Sequence, residues 1–432
     1  MNTSDFYFRD TCRLCGSREL ERVIELTPTP PGNHVLKADE LKIQRPSYPL
    51  EVYFCNDCAH LQLGHVVNPK ILYQRRYTYV SATSPVFVTH LKEYAAAMIQ
   101  RFSLEKGSLV ADIGSNDGTC LKFFKAAGFE VLGIDPAIDI ARRASNEGVE
   151  TIPDFFSLQK AQHVRRQRGP AALITSHNAC AHIDDLSDII QGVEHWLCDE
   201  GLFVMEVGYL VDVYQKVWFD TIYHEHLDYH TLAPLLGFFM RLGLEIIAVE
   251  RTTPQGGSIR VMAQKKGGPH HRDASVDQLL ELEHSLRMDR PETFRTFNRQ
   301  VNEVRDGLKK LLTDLKQEGY SIAGYGAPTK ATTMLMHFGL SAEMIDFTLE
   351  DNPLKQGCFI PGALIPIVPA SELYDRSPDY LVILAWNFAA PIMQKHARFH
   401  HEGGRFILPM PEPLIVEDLK AYLRSTGGKS DR

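Results

Sequence analysis

Short apolar runs recur along this chain at intervals that suit strands alternating with helices. Leu109–Ile113, Val131–Ile134, Ala172–Thr175 and Leu202–Glu206 are such runs within residues 85–265, with helical stretches between them. That alternation predicts a doubly wound parallel sheet, because a parallel strand needs a crossover to return to the same edge. The pattern changes over residues 273–318, which are charged and helical in period. Val276-Asp277-Gln278-Leu279-Leu280-Glu281-Leu282 puts apolar side chains three and four positions apart, which predicts a helical connector. The α/β alternation then restarts, with Ser321–Gly324, Ile345–Glu350, Tyr380–Leu384 and Phe406–Leu408 as strands. The first residues differ again: they are rich in Pro and Cys and hold short strand-like pieces such as Glu51-Val52-Tyr53-Phe54. The predicted organisation is α/β, with an N-terminal module at 1–75, a Rossmann-like domain at 76–270, a connector at 271–318 and a second Rossmann-like domain at 319–432.

Composition narrows the class. The 432 residues suit two to three domains, and 44% apolar with 23% charged residues is the balance of a soluble globular protein. A net charge of −8 argues against non-specific nucleic-acid binding. No apolar run approaches the ~20 residues of a membrane span, and MNTSDFYFRD has no basic region followed by an apolar stretch. Cys120, Cys180, Cys198 and Cys358 are scattered, which suits a reducing cytoplasm. The expectation is a cytoplasmic protein with neither nucleic-acid nor membrane partner.

The remaining cysteines form a pattern. Cys12-x-x-Cys15 and Cys55-x-x-Cys58 are two knuckles whose four thiolates close a tetrahedral shell around Zn2+. Four protein ligands leave no open position, so the zinc is expected to be structural. His60 and His65 lie nearby and read as ordinary residues.

Val110-Ala111-Asp112-Ile113-Gly114-Ser115-Asn116-Asp117-Gly118 ends a strand and opens a helix, and its glycines let backbone approach a ligand. Asp135 ends the next strand, where a carboxylate accepts hydrogen bonds from ribose hydroxyls. NAD folds share this pattern. S-adenosylmethionine (SAM) is favoured because a full GxGxxG is missing, and because Asp112 and Asp117 repel a pyrophosphate but suit a sulfonium with an amino-acid tail. Asp112, Gly114, Ser115, Asn116, Asp117, Gly118, Asp135 and Asn178 are the candidate cofactor contacts. His182, in Ala181-His182-Ile183-Asp184-Asp185, follows a strand end and is placed to face the cleft.

Thr221-Ile222-Tyr223-His224-Glu225-His226 packs a phenol, two imidazoles and a carboxylate into four positions. A base that works near neutral pH is most simply a histidine. On a helix Tyr223 and His226 would share a face, with Glu225 free to orient an imidazole. Metal binding by His224, His226 and His230 is the weaker alternative, since no helical HExxH is present. Arg251–Arg260 reads either as a wall of the cleft or as a hairpin turn.

Ile322-Ala323-Gly324-Tyr325-Gly326-Ala327-Pro328-Thr329-Lys330 is a second strand-to-helix turn. Bare backbone N–H groups with Lys330 suit an anion. Gly324, Tyr325, Gly326, Lys330, Glu350, Asn352 and Lys355 are the candidate contacts for a phosphorylated small molecule.

Taken together, the paired CxxC module, GSNDG, GIDP, AHIDD, FDTIYHEH, QGGSIR and GYGAPTK resemble the sugar C-methyltransferase family over nearly the whole chain. The resemblance implies SAM-dependent methylation at C3 of a nucleotide-diphosphate-linked 4-keto-deoxysugar. It also implies His226 as base, Tyr223 and Glu225 as orienting or sugar-bonding groups, and His182 on the C4 oxygen. Tyr79 is implied as a further catalytic side chain, and Tyr77 and His224 as sugar contacts. SAM would occupy the central domain and the nucleotide the C-terminal one. Where the family often has THGGS, this chain reads Thr253-Pro254-Gln255-Gly256-Gly257-Ser258, which bears on the identity of the sugar. The alternatives are a nucleotide-sugar O-methyltransferase and a non-catalytic zinc-containing nucleotide-binding protein.

Overall fold

A computed structural model of the chain describes residues 5–43, 45–73, 80–253 and 256–427. The N-terminal module is built on an antiparallel sheet of Leu20–Thr29, Tyr48–Cys55 and Leu61–Leu63. Its fourth strand, Asp228–Tyr229, comes from the centre of the chain and pairs with Leu61–Leu63. The segment after His226 is thereby stitched into the cysteine module.

The central sheet has seven strands. From one edge they run Thr151–Ile152, Glu130–Ile134, Leu109–Ile113, Ala171–His177, Leu197–Gly208, Ser258–Lys265 and Leu244–Thr252. In chain order this is 3-2-1-4-5-7-6, and Ser258–Lys265 runs antiparallel to both its neighbours. The strands next to the middle are buried along their length, as a sheet covered by helices on both faces requires. Arg251–Arg260 belongs to the hairpin joining the last two strands.

The C-terminal sheet has six strands in the order Ile367–Pro369, Thr348–Glu350, Ile322–Tyr325, Tyr380–Ile383, Arg405–Leu408 and Leu414–Val416, or 3-2-1-4-5-6. The reading of Ile345–Glu350 as strand was too long. Residues around Ser341–Ile345 form a turn closed by Ile345 N–H on the Ser341 carbonyl, and the strand begins at Thr348.

The connector contains the helices Ala274–Ser285 and Pro291–Gln317. The longer one buries Phe294, Phe297, Val301, Val304, Leu308, Leu312 and Leu315, spaced three or four apart on one face. That face packs on the N-terminal module, with the Phe294 and Phe54 rings 5.8 Å apart. One apolar cluster includes Val23 and Phe54, then Phe203 and Phe239, then Leu335 and Ile407. The module and both sheets therefore share a core, which fixes the three parts against one another.

Candidate active site

The four knuckle sulfurs lie within 4.8 Å of one another, with Cys12 to Cys58 at 3.6 Å and Cys15 to Cys55 at 3.5 Å. A tetrahedron of Zn–S bonds near 2.3 Å needs sulfurs roughly 3.8 Å apart, so this donor set fits zinc. Arg13, inside the first knuckle, is almost fully buried. Its guanidinium bonds Asp184 at 2.9 Å and the carbonyls of Leu63 and Leu227 at 2.8 and 3.3 Å. Leu227 N–H in turn bonds the Ala181 carbonyl at 2.7 Å. The cysteine module thus clamps together the loops that carry His182 and His226. His60 bonds Asp228 at 2.6 Å rather than facing the sulfurs.

In the central sheet, Gly114 takes φ 74° and its N–H bonds the Ile134 carbonyl at 2.8 Å. A Cβ there would lie 2.5 Å from the Ala179 Cβ, so only glycine fits. Asp135 accepts the N–H groups of Asn116 and Ala137, both at 2.8 Å, and burial raises its pKa. Asp117 accepts Ala82 N–H at 3.1 Å and Thr119 N–H at 3.2 Å, while Asn116 accepts Ser81 N–H at 3.0 Å. Gly118 caps the following helix with φ 73°, and Asn178 also takes a positive φ, 56°. Asp112 Oδ1 and Ser115 Oγ are buried without hydrogen-bond partners among the described residues. Burial and then the neighbouring Asp135 push the Asp112 carboxyl well above its ordinary range. A carboxylate with an unmet oxygen suits the cationic tail of SAM, so the predicted residues fit that cofactor.

Tyr223–His226 forms a turn, not the helix expected. Its strand pairing at Asp228 follows too closely for a helix to complete. Tyr223 and His226 still meet, with the phenol oxygen 2.9 Å from His226 Nε2. His226 Nδ1 lies 2.8 Å from the Thr221 carbonyl. A carbonyl only accepts, so Nδ1 carries the proton and the Nε2 lone pair accepts the Tyr223 hydroxyl. Burial lowers the His226 pKa to about 4; the Thr221 bond opposes this and Lys330 adds to it. The His182 ring lies 5.0 Å from that of His226 and stacks on Tyr73 at 6.0 Å. Burial and then His226 hold His182 well below the ordinary imidazole range.

The other two members of the segment face elsewhere. Glu225 was expected to orient an imidazole; it is instead buried, and accepts from Asn33 Nδ2 at 2.5 Å. Burial raises its pKa to about 7, against the pull of Asn33 and Lys355. His224, expected as a substrate contact, instead turns into the N-terminal module, where it is buried, bonds the Tyr48 carbonyl at 3.1 Å and meets the Tyr48 ring edge-on. His224, His226 and His230 do not converge as a metal set. The His230 ring stacks on His60, and His226 faces Tyr223.

The C-terminal domain closes the other side. Gly326 takes φ 91° and its N–H bonds the Leu349 carbonyl at 2.7 Å. Glu350 accepts Ala327 N–H at 2.7 Å and Asn352 N–H at 2.9 Å, and Lys355 bonds the Ala327 carbonyl at 2.7 Å. Gly324 is buried in the strand. Tyr325 is also buried; its hydroxyl is 2.9 Å from both Asp351 and His396, so it ties elements together. Lys330 lies 4.0 Å from Asp220 and 4.6 Å from the centre of the Trp386 ring. Tyr77 and Tyr79 lie outside the described residues.

Sequence reasoning missed Asn33, which bonds Glu225 and accepts from Thr329, joining all three parts. It also missed Arg13 and gave no role to Asp220. The Pro30-Pro31-Gly32-Asn33 turn is the one sequence signal for Asn33, and turns of that composition are common.

Residues 12–73 match the family described as "Putative zinc binding domain", residues 87–249 the family described as "Methyltransferase domain", and residues 253–411 that described as "C-methyltransferase C-terminal domain". The C-methyltransferase NovU of Streptomyces niveus is 35% identical over 407 residues, covering 94% of this chain and 97% of NovU. Among solved structures, magnesium protoporphyrin IX methyltransferase (ChlM) of Synechocystis PCC 6803 with bound SAH is 16% identical. It matches 44% of this chain and 89% of its own, at a TM-score of 0.34. A SAM-dependent methyltransferase of Clostridium acetobutylicum ATCC 824 is 12% identical over 42% of this chain and 92% of its own, also at 0.34.

Proposed function

We propose, since the chain belongs to the SAM-dependent C-methyltransferase family, that it methylates C3 of a nucleotide-diphosphate-linked 4-keto-deoxysugar. The observation that carries this reading is the His226 imidazole. Its tautomer is fixed by the Thr221 carbonyl at Nδ1, which leaves Nε2 as the basic nitrogen, its lone pair accepting the Tyr223 hydroxyl. A carbon acid needs such a base, and a C–H beside a ketone is acidic enough because the enolate spreads its charge onto the C4 oxygen.

In this mechanism the bound sugar displaces the Tyr223 hydroxyl from His226 Nε2, which then removes the C3 proton while the Thr221 carbonyl holds the ring through Nδ1. The C3–H electron pair becomes the enolate, and His182 donates to the C4 oxygen. When bound, SAM supplies the electrophilic methyl group that C3 takes up, leaving as S-adenosylhomocysteine. Asp112, Asp117, Asn178 and Asp135 would hold it, with Asp135 on the ribose. Glu350, Asn352 and Lys355 would hold the nucleotide diphosphate in the C-terminal domain. Cys12, Cys15, Cys55 and Cys58 would hold Zn2+ with no position left open, so its role would be to brace the knuckle that carries Arg13. Cytoplasmic function fits a soluble small-molecule substrate, and among the described residues no helix is long and apolar enough to cross a membrane.

The test is solvent exchange. Incubated in D2O without SAM, thymidine, guanosine and cytidine diphosphate 4-keto-deoxysugars are screened for deuterium at C3. One sugar of the panel should exchange. Methyl transfer to a hydroxyl with no exchange at C3 would replace this reading with O-methylation.

A further inference from the structure

Two neighbouring strands of the central sheet send a second set of metal-binding side chains to one place. Val110 of Leu109–Ile113 and Leu173 of Ala171–His177 enter one apolar cluster, which the helices Pro85–Arg101 and Thr119–Ala126 cover with Tyr94, Leu121 and Phe124. Asp112 pairs with Thr175 in the parallel ladder between these strands. A strand repeats its facing every second residue, so Asp112, Thr175 and His177 emerge under the same helices. Cys120, in the first turn of Thr119–Ala126, belongs to that cluster too. The Cys120 sulfur, an Asp112 carboxylate oxygen and a His177 ring nitrogen lie within 4.8 Å of one another. Among the described residues only the four knuckle sulfurs converge as closely.

The surrounding contacts leave these donors unmet. His177 Nδ1 is 3.4 Å from Thr175 Oγ1, which accepts from the Tyr94 hydroxyl at 2.8 Å, and the Tyr94 ring meets the imidazole edge-on at 4.5 Å. This orients the imidazole and leaves Nε2, which is buried and has no hydrogen-bond partner among the described residues. Asp112 Oδ1 likewise has none, and Cys120 is a free, buried thiol. Unmet buried polar atoms are unfavourable until a guest joins them. Thiolate, imidazole and carboxylate are zinc ligands, and three of them leave a fourth position for water. Mg2+ prefers oxygen ligands and is a poor match. A divalent ion with one thiolate, one carboxylate and a neutral imidazole forms a neutral centre, which suits an apolar surround. Burial lowers the His177 pKa to about 4, so its lone pair is available. Burial, then Asp112 and Glu206, hold the Cys120 thiol well above its ordinary range, so it gives up its proton only to a metal.

We propose that Asp112, Cys120 and His177 form a second metal site, for Zn2+ or a similar thiophilic divalent ion, and that the ion excludes SAM from the central sheet. Binding forms bonds from the metal to Cys120 Sγ, His177 Nε2 and an Asp112 oxygen. The proton of the thiol, and that of Asp112 where the carboxyl carries one, pass to water; nothing is oxidised or reduced. Exclusion follows because the ion takes the carboxylate that suits the cationic tail of SAM. The exclusion rests on that placement of the tail at Asp112; the metal site does not.

The experiment uses full-length protein whose cysteine tetrad already holds zinc, and compares wild type with Cys120→Ala and His177→Gln. Co2+ is added, and the thiolate-to-cobalt absorption and the content of both metals are read after gel filtration. Wild type should keep its zinc and take one further equivalent of cobalt, with the absorption of a cobalt–thiolate bond. Each variant should bind that equivalent about 100-fold more weakly or worse, since loss of even an outer-shell partner costs about 10–100-fold. His177→Gln carries the test if Cys120→Ala does not fold. Calorimetry then reads SAM affinity with Zn2+ at about ten times its own Kd, where wild type should bind SAM about tenfold more weakly. Cys120→Ala should bind SAM equally with and without Zn2+, and Mg2+ should change neither protein. No further cobalt in wild type, or cobalt retained in both variants as an adventitious ion would be, overturns the site. Equal weakening by Mg2+ overturns the exclusion as a property of this site. SAM affinity unmoved by Zn2+ with the cobalt site present overturns the exclusion and the placement of the SAM tail at Asp112, while the metal site stands.

Discussion

The two larger α/β sheets of this chain use the same local device and display opposite charge at it. In the central sheet Gly114 N–H bonds the Ile134 carbonyl, and Asp135 accepts the N–H groups of Asn116 and of Ala137. In the C-terminal sheet Gly326 N–H bonds the Leu349 carbonyl, and Glu350 accepts those of Ala327 and Asn352. Each glycine has a positive φ, and a Cβ on either would meet an alanine Cβ beyond the fourth strand, Ala179 or Ala385, within 3 Å. Strand, turn and carboxylate clamp are thus repeated; what differs is the charge the turn displays. The central turn carries Asp112 and Asp117, and suits a cationic tail. The C-terminal turn leads into Thr329 and Lys330, beside Lys355, and suits anions. On the proposed reading, the pair of folds would place a cationic methyl donor and an anionic acceptor on either side of the Tyr223–His226 turn.

The strongest way to break that division is at the turn between the folds. His226→Ala should lower methylation by about 10³-fold or more, within the range lost with a general base, while calorimetry finds SAM affinity near that of wild type. Turnover close to wild type would remove the base from the centre of the comparison. Cys12→Ser tests the module that holds both loops. Its zinc content should fall, its stability should drop by several kcal/mol, and methylation should fall with it, because Arg13 no longer holds Asp184 and Leu227. Full zinc and an unchanged melting temperature would make the clamp irrelevant.

The sequence made the scaffold legible because its signals are local. Apolar runs gave the strands, the spacing of Cys12, Cys15, Cys55 and Cys58 gave the zinc set, and the glycine turns gave the strand-to-helix loops at Gly114 and Gly326. Orientation within the Tyr223–His226 segment was not local. A three-residue spacing suggested a helix, yet strand pairing at Asp228 with Leu61–Leu63 fixes a turn instead. That pairing is what buries His224 against Tyr48 and sends Glu225 to Asn33. Asn33 and Arg13 are remote in sequence from the turn they organise, and their roles depend on the packing of three chain segments.

A paired substitution sharpens the comparison of the two clamps. Asp135→Asn should weaken SAM binding by roughly 10- to 30-fold and spare nucleotide-sugar affinity; Glu350→Gln should do the reverse. These magnitudes correspond to losing charge-assisted hydrogen bonds to ribose or backbone, about 1.5–2 kcal/mol each. Calorimetry with SAM and with the exchanging 4-keto sugar gives both affinities. If both variants lose the same ligand, the two folds do not divide the substrates.

The smallest effect separates Glu225 from His226. Burial raises the Glu225 carboxyl to about 7, so between pH 5 and 6 the folded protein keeps a proton that the unfolded chain has given up. Stability supplied by the protonated form is present below the unfolded value near 4.5 and is lost as pH rises through 7. His226 has the opposite sign. Its folded pKa of about 4 lies below the unfolded one, so its contribution is present above pH 6.5 and is lost as pH falls through 4. Glu225→Gln removes only the first of these. Relative to wild type, the variant should gain about 1 kcal/mol between pH 5 and pH 6, read as a diverging pair of urea midpoints. Parallel midpoints would mean that Glu225 is ionised in the folded protein, and that the Asn33 bond with Lys355 nearby outweighs its burial.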